Sequence, residues 1–204
     1  MRCSSIVDVK IGVLALQGDV SEHVHAFVKT LRELGVEDRA EVIVVRNADQ
    51  IYSLDALAIP GGESTTISRL IEKNGMSEPI TSFGGGIFAT CAGMVLMAGN
   101  VDDARVRTLD LMDIDVVRNA FGRQKESFEM DLAFKGFKEP FHAIFIRAPV
   151  ATRIGTGVKV LSRIDAGVVA MEQGRHMALA FHPELGNDFR IHKRFLQNQG
   201  IGVD

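Results

Sequence analysis

The first half of the chain is constrained most by an alternation of short apolar runs, rich in β-branched residues, with segments of helical spacing. This is the pattern of βαβ units on a parallel sheet, whose strands are buried on both faces and read as continuous apolar runs. Residues 10–16 predict the first strand. From Val20 onward, Val24, Phe27, Val28, Leu31 and Leu34 recur at three- and four-residue intervals and Gly35 follows, which predicts an amphipathic helix and its stop. Residues 42–45 and 56–59 predict two more buried strands, the second closed by Pro60-Gly61-Gly62. Helix is expected over 64–73, strand over 87–90 and helix over 92–98, so strand, turn and helix meet at Cys91. Gly84-Gly85-Gly86 lies between a helix and a strand of this pattern and reads as a turn.

Beyond residue 100 the pattern changes. Strand character over 109–117, 127–134, 143–146, 158–164, 167–172 and 176–181, without long helices between, predicts antiparallel pairing, and 188–199 predicts a closing helix behind Pro183. No repeat, low-complexity tract or linker interrupts the chain. With 204 residues, 46% of them hydrophobic, the chain is long enough to bury one sizeable core. The expectation is a single domain over 1–204, an α/β three-layer sandwich around a mainly parallel sheet with an antiparallel β-rich portion in the second half.

Charge narrows the partners. With 23 Lys and Arg against 26 Asp and Glu, a formal net charge of -3 supplies no positive field for a phosphate backbone or an anionic membrane, so neither partner is expected. Apolar stretches such as 11–16 and 178–181 fall far short of the roughly 20 residues that span a bilayer. Residues 1–10 include Arg2 and Asp8 and no continuous apolar stretch, so no secretory signal is expected. The two cysteines, Cys3 and Cys91, cannot make a disulfide framework and fit a reducing cytoplasm. Cys3, ahead of every motif, reads as an incidental exposed thiol.

Three segments could carry chemistry. Ala89-Thr90-Cys91-Ala92-Gly93 puts a thiol on a strand-to-helix corner, where small neighbours let the turn tighten, the next backbone N–H can face an oxyanion and the helix start favours thiolate. Taken alone, a buried structural cysteine is an equally good reading. His182-Pro183-Glu184, at the end of a strand, sets an imidazole and a carboxylate two positions apart, so both point the same way in extended chain. A base and a group that orients it are what a thiol nucleophile needs. Pro60-Gly61-Gly62-Glu63-Ser64 frees backbone N–H groups to approach a substrate oxygen, or is simply a turn with Ser64 as helix N-cap; it lacks the spacing of a phosphate loop. His23 and His25 do not face each other on a helix, and His142, His176 and His192 lack ligand spacing, so no metal is expected.

In this order, the Gly-Gly-Glu-Ser-Thr-Thr loop at 61–66, the cysteine elbow and His-Pro-Glu resemble the class I, triad-type glutamine amidotransferases, whose fold is flavodoxin-like. Leu16-Gln17-Gly18, the run 118–124 (Arg-Asn-Ala-Phe-Gly-Arg-Gln), Ser127-Phe128-Glu129 and the run 145–149 (Phe-Ile-Arg-Ala-Pro) narrow the resemblance to the glutaminase subunits of pyridoxal 5'-phosphate synthases, over about 11–195. The resemblance implies Cys91 as nucleophile, His182 as base and Glu184 as its orienting carboxylate. It implies L-glutamine contacts at Gly62, Glu63, Ser64, Arg118, Ile146 and Arg147, and an oxyanion hole from the backbone N–H groups of Gly62 and Ala92. It further implies no cofactor, and ammonia passed to a (β/α)8-barrel synthase subunit in a hetero-oligomer that makes pyridoxal 5'-phosphate. A guanidinium suits the α-carboxylate of glutamine, and the bland alternative for Arg118 and Arg147 is a salt bridge to acids such as Glu126 or Glu129. Two positions depart from the family pattern: Ala89 stands where Gly is usual, and Gly84-Gly85-Gly86 replaces the commoner Gly-Lys-Pro. The rival readings are an elbow-cysteine peptidase or chaperone of the same architecture, and a non-catalytic regulatory subunit.

Overall fold

The computed structural model describes residues 8–122 and 127–203. The β-branched runs form β1 (Val9–Leu14), β2 (Ala40–Val45), β3 (Ala56–Ile59) and β4 (Gly86–Thr90), paired in parallel in the order β2-β1-β3-β4. Every residue of β3 and β4 is buried, which explains why these strands read as unbroken apolar runs rather than alternating ones. Between them run α1 (Val20–Glu33), a 3-10 turn (Ala48–Ser53), α2 (Ser64–Lys73) and α3 (Ser77–Thr81). On α1 the residues His23, Ala26, Phe27, Thr30 and Leu31 form the buried face, the stripe that three- and four-residue spacing requires. Helix α4 (Ala92–Met97) leaves β4 through Cys91, and α5 (Arg190–Asn198) closes the chain. α1 packs with α5 and α2 with α4, two helix pairs flanking the sheet.

The second half adds β5 (Ala98–Val101), β6 (Met112–Val117), β7 (Ser127–Leu132), β8 (Phe141–Ile146), β9 (Val150–Ile154), β10 (Lys159–Ile164), β11 (Gly167–Gln173) and β12 (His176–Leu179). The sheet continues from β4 as β12-β11-β9-β6-β5, with β10 paired to β11, while β7 and β8 form a separate antiparallel ribbon. The expectation of antiparallel pairing holds from β12 through β11 and β9 to β6 and fails at both ends. β12 lies parallel to β4, with Ala178 opposite Ala89, and β5 lies parallel to β6. Strand direction follows the path of the chain across the sheet, which local composition does not record. Helix α4 stops at Met97, one residue early, because Ala98 already pairs with Met112. Neither β5 nor β9 was expected, nor were α3 and the 3-10 turn.

One apolar cluster extends from Ile11 to Ile201 and includes both halves of the sheet. Among the described residues no helix is long and apolar enough to cross a membrane. Because β1, β3, β4 and β12 run the same way, their carboxyl ends open on one edge, where ligands bind in sheets of this order.

Candidate active site

Each of those four strand ends delivers a polar group. Gln17 to Asp19 follow β1, the Gly-Gly loop follows β3, Cys91 follows β4 and His182 follows β12. They converge on a cavity of about 300 Å³, at the small end for ligand pockets and fit for a free amino acid. Its lining includes Gly62, Glu63, Ser64, Cys91, Ala92, Arg118, Ile146, Arg147 and His182, so every site residue expected from the sequence borders it except Glu184, which stands behind His182.

Cys91 sits at φ 48 and ψ -104, a left-handed backbone that side chains rarely adopt, so the expected sharp elbow is present. Its N–H donates to the Leu179 carbonyl at 2.8 Å, locking the corner to β12, and its thiol faces the Ile146 carbonyl at 3.7 Å. Ala89, the departure from the family pattern, is fully buried within β4 and leaves this elbow formed.

His182 is 3% exposed, and its Nδ1 lies 2.7 Å from Glu184 Oε1 and 3.3 Å from Asp19 Oδ2. Burial alone would lower the imidazolium pKa, but hydrogen bonds with Asp19, Cys91 and Glu184 outweigh it and raise it to about 12. For Glu184 burial works upward, and the charge of His23 with bonds from His182 and His23 holds the carboxyl well below the usual range. His182 and Glu184 are therefore charged partners. Asp19, His182 and Glu184 bring three potential ligand atoms within 4.8 Å, but both carboxylates address the same ring nitrogen, which spends them on one proton.

The Gly-Gly loop is shaped by close approach. A methyl on Gly61 would lie 2.4 Å from His182 Cε1, and Gly62, at φ 150, would put one 2.5 Å from Gln17 Oε1. Gln17 Oε1 accepts the Glu63 N–H at 2.7 Å, and Thr90 Oγ1 accepts the Gly61 N–H at 3.1 Å, so the loop is held from β1 and from β4. The N-cap of α2 is Glu63, not Ser64: its carboxylate accepts from the backbone N–H and hydroxyl of both Thr65 and Thr66. Burial would raise that carboxyl, and these four donors overcome it to bring it down to about 2. Ser64 is already the first helical residue, so the extended residue ahead of it, Glu63 at φ -98 and ψ 109, holds the cap position.

Arg118 pairs with Asp103 and, at 3.2 Å, with Glu63. The alternative of an ion pair with Glu129 is not realised, since Glu129 Oε2 lies on His142 Nε2 at 2.9 Å. Glu126, Arg123, Gln124 and Cys3 lie outside the described residues. Two of the five guanidinium donors are spent, which fixes the fork and leaves N–H groups facing the cavity. Asn119 (φ 47) and Arg147 (φ 43) turn the pocket wall through left-handed residues at the ends of β6 and β8.

A model of the SNO glutamine amidotransferase family matches residues 13–200. The chain belongs to that family. It is 61% identical over 194 residues to pyridoxal 5'-phosphate synthase subunit PdxT of Methanoregula boonei, covering 95% of this chain and 100% of the relative. The PdxT subunit of Oenococcus oeni is 49% identical over 191 residues, 93% of this chain and 96% of that one. A solved structure described as a glutamine amidotransferase superposes with a TM-score of 0.83 at 41% identity, covering 94% of this chain and 99% of the other. A glutamine amidotransferase from Thermotoga maritima shares the fold at a TM-score of 0.59 and 12% identity, over 95% of this chain and 86% of that one.

Within this family member, two groups beside His182 and Glu184 escaped sequence reasoning. Asp19 gave no signal, since it reads as a residue starting a helix, and it does hold that place with its carbonyl accepting the His23 N–H at 3.2 Å. His23 was read as one of two unrelated helix histidines. Its four-residue spacing to Phe27, on the apolar stripe, is the signal that places it inward, while His25 is exposed.

Proposed function

We propose that the chain hydrolyses L-glutamine to L-glutamate and ammonia as the glutaminase subunit of a pyridoxal 5'-phosphate synthase. The observation that carries this reading is the convergence of an elbow thiol with a His182–Glu184 pair at 2.7 Å on the carboxyl edge of the sheet. The Cys91 thiol passes its proton to His182, its sulfur attacks the side-chain amide carbon, and the backbone N–H groups of Gly62 and Ala92 receive the oxyanion. His182, oriented through Nδ1 by Glu184, gives its proton to the departing nitrogen and ammonia leaves. Water then attacks the γ-glutamyl thioester with His182 as base, and glutamate is released. The raised pKa of His182 suits the first of these steps, because Asp19 and Glu184 favour the imidazolium that forms when the ring takes the thiol proton. Arg118, braced by Asp103 and Glu63, and Arg147 hold the α-carboxylate; Ser64 and Ile146 line the same pocket.

The described residues act as one glutaminase domain in the cytoplasm, with no cofactor of its own. Its partner is a (β/α)8-barrel synthase subunit that consumes the ammonia. Hydrolysis without an acceptor wastes glutamine, so docking near Gln17, which grips the Glu63 N–H, is expected to complete the oxyanion loop. The test is glutamate release with and without saturating synthase subunit, followed by amide-labelled glutamine in excess unlabelled ammonium. Label retained in pyridoxal 5'-phosphate supports channelling; dilution to the bulk ratio ends that part of the reading, and no glutamate release under either condition ends the whole.

A further inference from the structure

Behind the triad, away from the cavity, lies a buried polar cluster that thioester chemistry does not use. His23 on α1 and His192 on α5 are both 0% exposed, with ring centroids 6.4 Å apart among Phe27 and Phe88. His192 is aromatic filling: neither ring nitrogen has a hydrogen-bond partner among the described residues, and burial, with the charge of His23, lowers its pKa to about 3. His23 differs. Its Nε2 lies 3.0 Å from Thr90 Oγ1 and 3.4 Å from Glu184 Oε1. A lone pair on that nitrogen would face a carboxylate oxygen, whereas a hydrogen there is attracted to both oxygens, so the proton sits on Nε2.

Both oxygens belong to the reaction centre. Glu184 Oε1 accepts from His182 Nδ1, and Thr90 Oγ1 accepts the Gly61 N–H of the oxyanion loop. Glu184 Oε2 has no hydrogen-bond partner among the described residues, so the carboxylate is aimed through Oε1 alone. We infer that His23 is a positioning residue of the glutaminase, one Nε2–H that aims Glu184 at His182 and steadies the Thr90–Gly61 link. This rests on the triad reading above. Without His23 the carboxylate keeps a single anchor and can swing, and the imidazole loses its fixed direction towards sulfur. Glutamine touches neither group, so the loss falls on turnover and not on binding.

The experiment measures kcat and KM for glutamine on the full chain saturated with synthase subunit, for wild type, His23→Leu, His23→Asn and His23→Gln, with thermal melts of each. His23→Leu removes the donor and should lower kcat about 10- to 100-fold, the usual effect of a lost orienting contact, with KM within about twofold. His23→Gln carries an amide N–H near the position of Nε2 and should recover kcat to within about threefold of wild type. His23→Asn has the same amide on a shorter stem that cannot reach Glu184, and should behave as Leu does. If Leu fails to fold, the Gln and Asn pair decides. Equal kcat for Gln and Asn, or wild-type kcat in either Leu or Asn, overturns the inference. No glutamate release from the unmodified complex would instead remove the glutaminase reading itself.

Discussion

The parallel strands and the antiparallel strands of the second half supply different kinds of group. In the proposed reaction the parallel strands carry the reacting atoms on short tethers: Cys91 follows the end of β4 directly, the Gly-Gly loop lies just beyond β3 and His182 just beyond β12. The antiparallel strands, β6 in the main sheet and β8 in the separate ribbon, supply walls. Arg118, Asn119, Ile146 and Arg147 lie where β6 and β8 end, on turns with left-handed residues. Chemistry that tolerates little displacement is fixed by strands buried on both faces, and substrate holding is left to turns that can be re-cut without disturbing them.

If that division is right, substitutions in the two portions should move different kinetic constants. Cys91→Ala should lower kcat by about four orders of magnitude or more while calorimetry still detects glutamine binding, because the sulfur forms the bond and the walls do the holding. Near-normal turnover would break the comparison at its strongest point. His182→Asn should be similarly severe and Glu184→Gln milder, since an amide can still hold the ring. Arg118→Lys, in the walls, should raise KM about tenfold with kcat within about twofold, because an ammonium cannot replace a braced planar fork. A pure kcat effect would move Arg118 into the reacting set.

The smallest effect belongs to Asp19→Asn. Its carboxylate favours the charged imidazole, so its removal should let His182 lose its proton at lower pH, shifting the alkaline limb of kcat/KM down by about one pH unit or less. An unmoved limb would leave Glu184 as the sole acid acting on Nδ1.

Legibility in the sequence followed the same division. β3 and β4 stood out as short apolar runs bounded by Gly or Pro, and the elbow cysteine and His-Pro-Glu lay at strand ends that could be read directly. β5, with the sequence Ala-Gly-Asn-Val, has no strand propensity of its own and exists because β6 pairs with it. β9 is a mixed run in which Thr152 and Arg153 are exposed and Arg153 pairs with Asp113 and Asp115. The partners of Arg118, Asp103 and Glu63, come from other segments of the chain, whereas the alternative weighed for it named acids nearer in sequence. Asp19 and His23 depend on which strand ends share an edge, which is a property of topology and not of any local window.

The left-handed backbone at Cys91 has a consequence for the lifetime of the molecule. A non-glycine residue at φ 48 and ψ -104 costs on the order of 1–3 kcal/mol, and the surrounding corner must bear that cost whether or not substrate is present. Cys91→Gly removes the strain together with the thiol that the proposed reaction uses. Although expected to be inert as a hydrolase, that chain should melt a few degrees higher, at about 2–4 °C per kcal/mol for a protein of this size. A selection that rewarded heat survival of the isolated chain, and ignored glutamine, would tend to discard the elbow thiol.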